Sequence, residues 1–258
     1  MALTNLYAKY VYPTGKTGLP ICLVMHGYNE AATTILDATL QRMAARGFFA
    51  CAVAMRGRDG GDGSQDDNAR ELWDIYDALV KIRSDYAAIV DPDLAAIVGY
   101  SGGGGNALAL ACKFPDAFNV VVSHFGMSDY GRDGTDGWYY NNNGDYTALI
   151  AAHVGGIPGD VPNNYYARDA TAAIANYTGG HLFMYHDQAD TSVPVVHSQR
   201  IVTALSGAGL SNYDYTETKA GDANRATHGL PQGANEALKW TEDEWAEAIA
   251  DKTYPAWT

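Results

Sequence analysis

Short apolar runs alternate with amphipathic segments along most of the chain, and this alternation defines the predicted elements. Five runs are apolar on both faces, as strands buried inside a parallel sheet are, and they span residues 21–26, 48–55, 94–100, 120–125 and 182–186. Segments 6–12 and 213–218 alternate in polarity instead, which is typical of strands at a sheet edge. The pattern predicts a mostly parallel sheet, mixed at the edge where segment 6–12 pairs antiparallel.

Amphipathic segments lie between the predicted strands. Segments 34–46 and 69–82 repeat an apolar residue every three or four positions, which is the spacing of one helical face. A later segment opens at Thr241 with the residue pattern of a capping box. Strands and helices in alternation predict an α/β fold in which helices cover the faces of the sheet.

Segment 128–177 departs from this alternation. It is rich in aromatic and amide side chains from Trp138 to Tyr146 and continues through Gly- and Pro-rich turns around 155–162. Irregular insertions of this kind often overhang a binding site, so we expect a lid or pocket wall. The alternative is a surface excursion packed on its own tyrosines. Because the sequence shows neither repeats nor a linker, we expect residues 1–258 to form a single domain.

Composition and charge narrow the classes of function. Of the 258 residues, 47% are hydrophobic and 18% charged, and no apolar run approaches the roughly 18 residues of a membrane span. The 17 basic and 30 acidic residues give a formal net charge of −13, which repels a phosphate backbone. We therefore expect neither a membrane span nor a nucleic-acid partner. The first residues lack the basic and apolar regions of a secretory signal, so the expected location is cytoplasmic, with secretion after removal of a signal as the alternative.

No cofactor and no metal are expected. Cys22, Cys51 and Cys112 lie inside apolar stretches, which is typical of buried reduced thiols. The histidines do not show the spacing of a zinc site. The acidic loop, residues 59–67, carries four carboxylates and raises a calcium alternative, but its spacing differs from that of an EF-hand. The favoured interpretation is a turn-rich loop that borders the functional site.

The strongest chemical signal is Gly99-Tyr100-Ser101-Gly102-Gly103. It follows a predicted strand and precedes a helical stretch. Glycines on both sides of a serine permit the sharp strand-to-helix turn of a nucleophile elbow. The helix N-terminus also directs free amides toward a developing oxyanion. The motif predicts Ser101 as a nucleophile and the Gly102 amide as an oxyanion donor.

A serine nucleophile needs a base and a third group that orients the base. Asp190 follows the strand at 182–186 and precedes Val193-Pro194. We prefer it to Asp187, which lies beside the strand. His228 is the only histidine beyond the last predicted strand, and it lies in a loop. The predicted order along the chain is therefore Ser101, Asp190, His228.

The substrate side of the site is predicted from the end of the strand at 21–26. His26-Gly27-Tyr28 follows that strand, and the Tyr28 amide is expected to be the second oxyanion donor. His26 either braces this loop or contacts the substrate. Tyr100, Trp138 and Tyr139 are further expected substrate-binding residues.

Together these motifs resemble those of the α/β-hydrolase superfamily, and within it the catalytic domain of prolyl-oligopeptidase-like and dienelactone-hydrolase-like serine hydrolases. The likeness covers residues 20–230 and depends on His26-Gly27, Arg56-Gly57, the Ser101 elbow, Asp190 and His228-Gly229. It implies an α/β-hydrolase fold, with a mostly parallel eight-stranded sheet, helices on both faces and a lid-like insertion around 128–177. One departure is Gly102, because these families often carry a larger side chain after the nucleophile.

The resemblance implies a carboxylesterase that cleaves a small-molecule ester with a short acyl chain through a Ser-His-Asp triad and an acyl-enzyme. Peptidases of the prolyl oligopeptidase family usually carry a large β-propeller, for which 258 residues leave no room. Two segments, 26–28 and 56–58, also look like those of acetyl xylan esterases. A carbohydrate-ester deacetylase and a small peptidase therefore stay open as alternatives, and a non-catalytic binding module is a remote one.

Overall fold

The structure is a computed structural model that describes residues 5–35, 37–131, 137–177, 179–222 and 225–230. Its central element is a seven-stranded sheet. In chain order the strands are β1 (Ala8–Val11), β2 (Leu19–Met25), β3 (Phe49–Val53), β4 (Val90–Tyr100), β5 (Val120–His124), β6 (His181–Asp187) and β7 (Tyr213–Thr218).

The strands lie in the order β1-β3-β2-β4-β5-β6-β7. β1 pairs antiparallel with β3, and all other pairs are parallel, as the polarity pattern predicts. All seven strands drawn from that pattern are present. The eighth strand, implied by the resemblance alone, has no counterpart among the described residues, whose sheet has seven strands.

Helices connect the strands and cover the sheet. They are α1 (Asp37–Ala45), α2 (Glu71–Asp85), α3 (Gly102–Lys113), α4 (Trp138–Asn141), α5 (Thr147–Val154), α6 (Pro162–Tyr166), α7 (Ala170–Ala173) and α8 (Val196–Gly207). The apolar residues of α2, α3 and α8 pack into one core cluster, and those of α1 pack into a second, so helices lie on both faces. The segment that opens at Thr241 lies outside the described residues.

The insertion, residues 128–177, contains a third apolar cluster. Trp138, Tyr165 and Ile150 are buried there, together with Met127 and Val193 from outside the insertion. The insertion therefore has the self-packed core that the alternative interpretation describes. The same cluster is in contact with Tyr28 at its edge, so the insertion also adjoins the predicted site.

Two predictions from composition can be compared with the structure. Among the described helices, none has the length and apolarity needed to cross a membrane. The three cysteines are buried, and burial raises the pKa of Cys51 to about 12. Such thiols stay protonated near neutral pH and act as small apolar side chains.

Candidate active site

Ser101 lies at the junction of β4 and α3 in a strained conformation. Its φ of 53° and ψ of −117° are rare for a residue with a side chain. Two backbone hydrogen bonds hold it, one from the Ser101 amide to the His124 carbonyl and one from the Gly105 amide to the Ser101 carbonyl, both 3.0 Å. A Cβ at Gly99 would lie 1.9 Å from the Gly103 carbonyl oxygen, so the turn requires glycine there.

The structure brings Ser101, His228 and Asp190 into one hydrogen-bonded row. His228 Nε2 lies 3.0 Å from Ser101 Oγ, and His228 Nδ1 lies 2.7 Å from Asp190 Oδ2. The Asp190 side chain is completely buried, whereas that of His228 is 28% exposed. The row therefore runs from a buried carboxylate to a partly exposed imidazole and the serine hydroxyl that it contacts.

The loop after β6 fixes Asp190. Its Oδ1 accepts hydrogen bonds from the amides of Ser192 and Val193, both at 2.9 Å. His186 Nε2 lies 3.4 Å from Oδ2 on the other side. Burial acts to raise the pKa of Asp190, but hydrogen bonds from His186, His228 and the Val193 amide outweigh it and lower this pKa overall. Asp190 is therefore an ionised hydrogen-bond acceptor at neutral pH.

Asp187, the other carboxylate of this loop, binds a different partner. Arg225 donates to both of its oxygens, at 2.7 and 2.8 Å, and Thr218 Oγ1 donates at 2.7 Å. The Arg225 guanidinium lowers the pKa of Asp187 well below its usual range. Because Arg225 lies just before His228, this pair ties the histidine loop to the end of β6. Asp190 contacts the imidazole, and Asp187 anchors the loop that carries it.

The backbone of Tyr28 lies directly against Gly102. A Cβ at Gly102 would lie 2.4 Å from the Tyr28 amide nitrogen, so the loop after β2 packs directly on the first turn of α3. Within the described part of the chain, neither amide donates a hydrogen bond to another group. The contact also explains the departure at Gly102, since any larger residue would push the Tyr28 amide away.

Phe125 forms a side of the site that sequence reasoning missed. Its ring centroid lies 4.8 Å from that of His228, in an edge-on contact. The residue has a φ of 42°, and its amide donates to the Tyr185 carbonyl at 2.7 Å. The only sequence signal for it is its place directly after β5, at the sheet edge where the other site residues lie.

Two of the four expected substrate-binding residues are buried and do not face a substrate. His26 is 0% exposed, and its Nδ1 lies 2.9 Å from the Gly27 carbonyl oxygen. Trp138 is 1% exposed, and its indole N–H donates to the Ser192 carbonyl at 2.8 Å. Direct substrate contact is wrong for both in this structure, because their side chains are enclosed by protein. His26 braces the loop after β2, and Trp138 ties the insertion to the Asp190 loop.

The other two keep a partial exposure. Tyr100 is half-buried and stacks on His124 with ring centroids 5.0 Å apart. Tyr139 is also half-buried and packs edge-on against Tyr140 and Tyr165, at 5.0 and 5.9 Å. Their contact with a substrate stays a prediction.

The carboxylates of the acidic loop diverge. Asp59 accepts from the Ala32 amide at 2.7 Å, and Asp62 accepts from the Asn5 amide at 3.1 Å. Asp66 accepts hydrogen bonds from the Arg70 side chain and the Glu71 amide. Asp67 contacts Tyr28 and His153. Over the described ranges, no group of His, Cys, Asp and Glu side chains is arranged to hold a metal ion. The calcium alternative gains no support.

Comparison with known proteins identifies the family. The model of the prolyl oligopeptidase family, of the α/β-hydrolase superfamily, matches residues 35–247. The chain belongs to this family. The assignment confirms the predicted fold and the resemblance, and it makes the protein a serine hydrolase of the prolyl oligopeptidase family. No curated protein matches the chain.

Solved structures share the fold at low identity. The puromycin-hydrolysing peptidase of Mycobacterium tuberculosis has 21% identity and a TM-score of 0.77, covering 95% of this chain and 37% of that one. The acylaminoacyl peptidase of Pyrococcus horikoshii has 19% identity and a TM-score of 0.76, covering 95% of this chain and 39% of that one. The acetyl ester-xyloside bifunctional hydrolase of Caldicellulosiruptor lactoaceticus has 17% identity and a TM-score of 0.72, covering 95% of this chain and 88% of that one. The chain thus spans well under half the length of the two peptidases.

Proposed function

We propose that the protein hydrolyses carboxylic esters of small molecules through an acyl-enzyme intermediate. One observation carries this proposal. It is the row in which Ser101 Oγ, His228 Nε2, His228 Nδ1 and Asp190 Oδ2 follow one another at 3.0 and 2.7 Å. A hydroxyl, an imidazole and a buried carboxylate in this order are the groups that acyl transfer to serine requires.

The first half-reaction forms the acyl-enzyme. Ser101 Oγ attacks the ester carbonyl carbon while its proton moves to His228 Nε2. The carboxylate of Asp190 stabilises the imidazolium, and the amides of Tyr28 and Gly102 donate hydrogen bonds to the oxyanion. The proton on Nε2 then passes to the departing alkoxide, which leaves as the alcohol when the carbon–oxygen bond breaks.

The second half-reaction releases the acid. Water takes the place of the alcohol and gives a proton to His228 Nε2 as it attacks the acyl carbon. The second tetrahedral intermediate uses the same two amides. When it collapses, Ser101 Oγ leaves and recovers the proton from His228, which restores the free enzyme.

Two arguments favour ester over amide substrates. An alkoxide leaves a tetrahedral intermediate more readily than an unprotonated amide nitrogen, so ester cleavage depends less on proton transfer to the leaving group. In addition, the acetyl ester-xyloside bifunctional hydrolase shares the fold over 88% of its own length. That likeness also supports acetylated sugars as candidate substrates.

A peptidase is the second candidate function. The family match and the two solved peptidases favour it. The same row of residues serves an amide substrate if His228 protonates the leaving amine before the tetrahedral intermediate collapses. The two candidates share every proposed catalytic residue and differ in the leaving group, so a comparison of substrates separates them.

A substrate panel tests the proposal. We would compare kcat/KM for p-nitrophenyl acetate, acetylated xylo-oligosaccharides and aminoacyl p-nitroanilides. Ser101→Ala is expected to lower ester turnover by roughly six decades. Ser211→Ala, which changes an exposed serine, is the matched control and should leave turnover unchanged. Preference for the anilides would establish the peptidase instead, and turnover of none of the three would contradict both.

A further inference from the structure

The side chain of Tyr28 is held by a hydrogen bond and by ring contacts. Its hydroxyl donates to Asp67 Oδ2 at 2.8 Å. Its ring lies edge-on to Trp138 and Tyr146, with centroids 4.7 and 5.3 Å apart. The backbone amide beside Gly102 also belongs to Tyr28. The contacts that hold the Tyr28 phenol therefore also restrict the direction of that amide.

Asp67 links two parts of the chain at this point. Its side chain is completely buried, and its Oδ1 lies 2.9 Å from Nδ1 of His153 on α5. Asp67 and the next residue, Asn68, have φ values of 48° and 64°, so two consecutive residues adopt a left-handed conformation to aim this carboxylate. Each carboxylate oxygen serves one donor, the phenol from the oxyanion loop and the imidazole from the insertion.

The backbone around Asp67 is fixed on both sides. Asn68 Nδ2 donates to the Gly105 carbonyl at 3.3 Å, and Asn106 donates to Asn68 Oδ1. On the other side, Arg168 donates to the Asp66 carbonyl from Nε at 3.0 Å and from Nη2 at 2.8 Å. Gly105 and Asn106 belong to α3, whose first residue is Gly102. Asp67 is therefore fixed with respect to the helix that carries the other oxyanion amide.

The negative charges around His153 favour its protonated form beside Asp67. Burial raises the pKa of Asp67, and nearby Glu71 raises it further, while the hydrogen bond and charge of His153 oppose this change. Arg58 is already paired with Glu71 at 2.6 Å. The hydrogen bond to Asp67 raises the pKa of His153 in turn. A buried carboxylate is costly without a partner, and His153 supplies one.

We propose that Asp67 and His153 are positioning residues for the oxyanion-binding amide of Tyr28. The insertion, through His153, and the acidic loop, through Asp67, would together hold that amide beside Gly102. This inference rests on the proposed function, because it assigns the two residues a part in the same hydrolysis. It gives the insertion a role besides that of a pocket wall.

Tyr28→Phe is the most direct test, because it removes the hydroxyl and leaves the ring and the amide. We expect kcat for p-nitrophenyl acetate to fall about 10- to 100-fold with KM changed less than about twofold, since a misplaced oxyanion donor affects the transition state. Affinity for a trifluoromethyl ketone, which forms an oxyanion adduct with the serine, should fall by the same factor as kcat/KM.

His153 offers a rescue experiment. His153→Leu should lower kcat as Tyr28→Phe does. His153→Asn should restore most of it, because the Asn Nδ2 can replace the imidazole Nδ1–H as a donor to Asp67. His181→Leu is the matched control, since it breaks another His–Asp pair, at 2.7 Å to Asp214, at the opposite end of β6. That variant should retain the kcat of the wild type.

Three results would overturn the inference. If the wild type hydrolyses the ester but Tyr28→Phe and His153→Leu keep kcat within about twofold, the positioning role is wrong and the proposed function stands. A rise in KM without a change in kcat or in ketone affinity would reassign both residues to substrate binding. A wild type inert toward both ester and ketone would remove the proposed function, and the inference with it.

Discussion

Individual residues at this site have their chemistry set by burial and by the number of their hydrogen bonds. Asp190 accepts from two amides and two imidazoles, and its pKa is lowered although it is buried. The pKa of Asp187 is also lowered, because Arg225 pairs with it, yet this carboxylate does not contact His228. A low pKa alone therefore does not distinguish the two carboxylates, whereas contact with His228 does.

The two carboxylates should respond differently to neutralisation. Asp190→Asn should lower kcat roughly 10⁴-fold, because an amide neither fixes the imidazole tautomer nor stabilises the imidazolium. Asp187→Asn should lower kcat far less, since it weakens only the anchor of the His228 loop. Steady-state kinetics on p-nitrophenyl acetate measure both. Equal losses in the two variants would show that Asp190 is not the orienting group.

Gly102 should tolerate no side chain. In Gly102→Ala the new Cβ would lie 2.4 Å from the Tyr28 amide nitrogen, so one of the two proposed oxyanion donors must move. We expect kcat to fall about 10²-fold, together with about 1–3 kcal/mol of lost stability from overpacking. Kinetics and urea unfolding measure these effects. Retention of full kcat in a folded Gly102→Ala protein would contradict this description of the oxyanion site.

At the level of elements, the site is assembled from the carboxyl ends of neighbouring parallel strands. β2 leads to Tyr28, β4 to Ser101, β5 to Phe125 and β6 to Asp190. The strands and their order along the chain follow from apolar runs, so Tyr28, Ser101 and Asp190 could be predicted from the sequence. Phe125 could not, because its contact with the His228 ring joins two distant parts of the chain. The internal fold of the insertion could not be predicted, because its short helices pack through contacts between distant residues such as Trp138 and Val193.

The contact between α5 and the acidic loop should make stability depend on pH. Folding raises the pKa of His153 above its unfolded value, first through the hydrogen bond to Asp67 and also through the charges of Asp67 and Glu71, while burial and Arg58 oppose. A group with a raised folded pKa contributes its full stabilisation below the unfolded pKa, about 6.5, and loses it as pH rises through the folded pKa.

Comparison with His153→Asn isolates this effect, since asparagine keeps the donor without the charge. The free energy of unfolding of the wild type should exceed that of the variant most near pH 5.5, and the difference should shrink toward pH 8.5. Urea unfolding across this range measures it. A difference that is constant, or that grows with pH, would show that Asp67 and the His153 charge are not coupled.

For the whole molecule, the sequence predicts which residues follow the strands. It does not predict how deeply each side chain is buried or in which direction it points. Ser101, Asp190 and His228 were identified by their places after strands, and the structure brings them together. His26 follows a strand and Trp138 lies in the aromatic insertion, so both were expected to bind substrate. Both side chains are buried, and protein atoms enclose them instead. Pairs such as Asp67 and His153, 86 positions apart, leave no local pattern at all.

The net charge should affect which esters reach the site. A formal charge of −13 repels anionic substrates at low ionic strength, and salt screens this repulsion. We expect kcat/KM for the anionic ester p-nitrophenyl hydrogen succinate to rise several-fold between about 0.01 M and 0.3 M salt. The value for neutral p-nitrophenyl acetate should change little. A fall for the anionic ester would indicate a local cationic patch at the site.

The proposed hydrolysis depends on Ser101 as a nucleophile that His228 activates. Reaction with a fluorophosphonate probe, followed by mass-spectrometric mapping of the modified peptide, tests it most directly. A single adduct is expected on Ser101, absent from Ser101→Ala and formed far more slowly in His228→Ala. An adduct on another residue, or labelling that persists in Ser101→Ala, would contradict it.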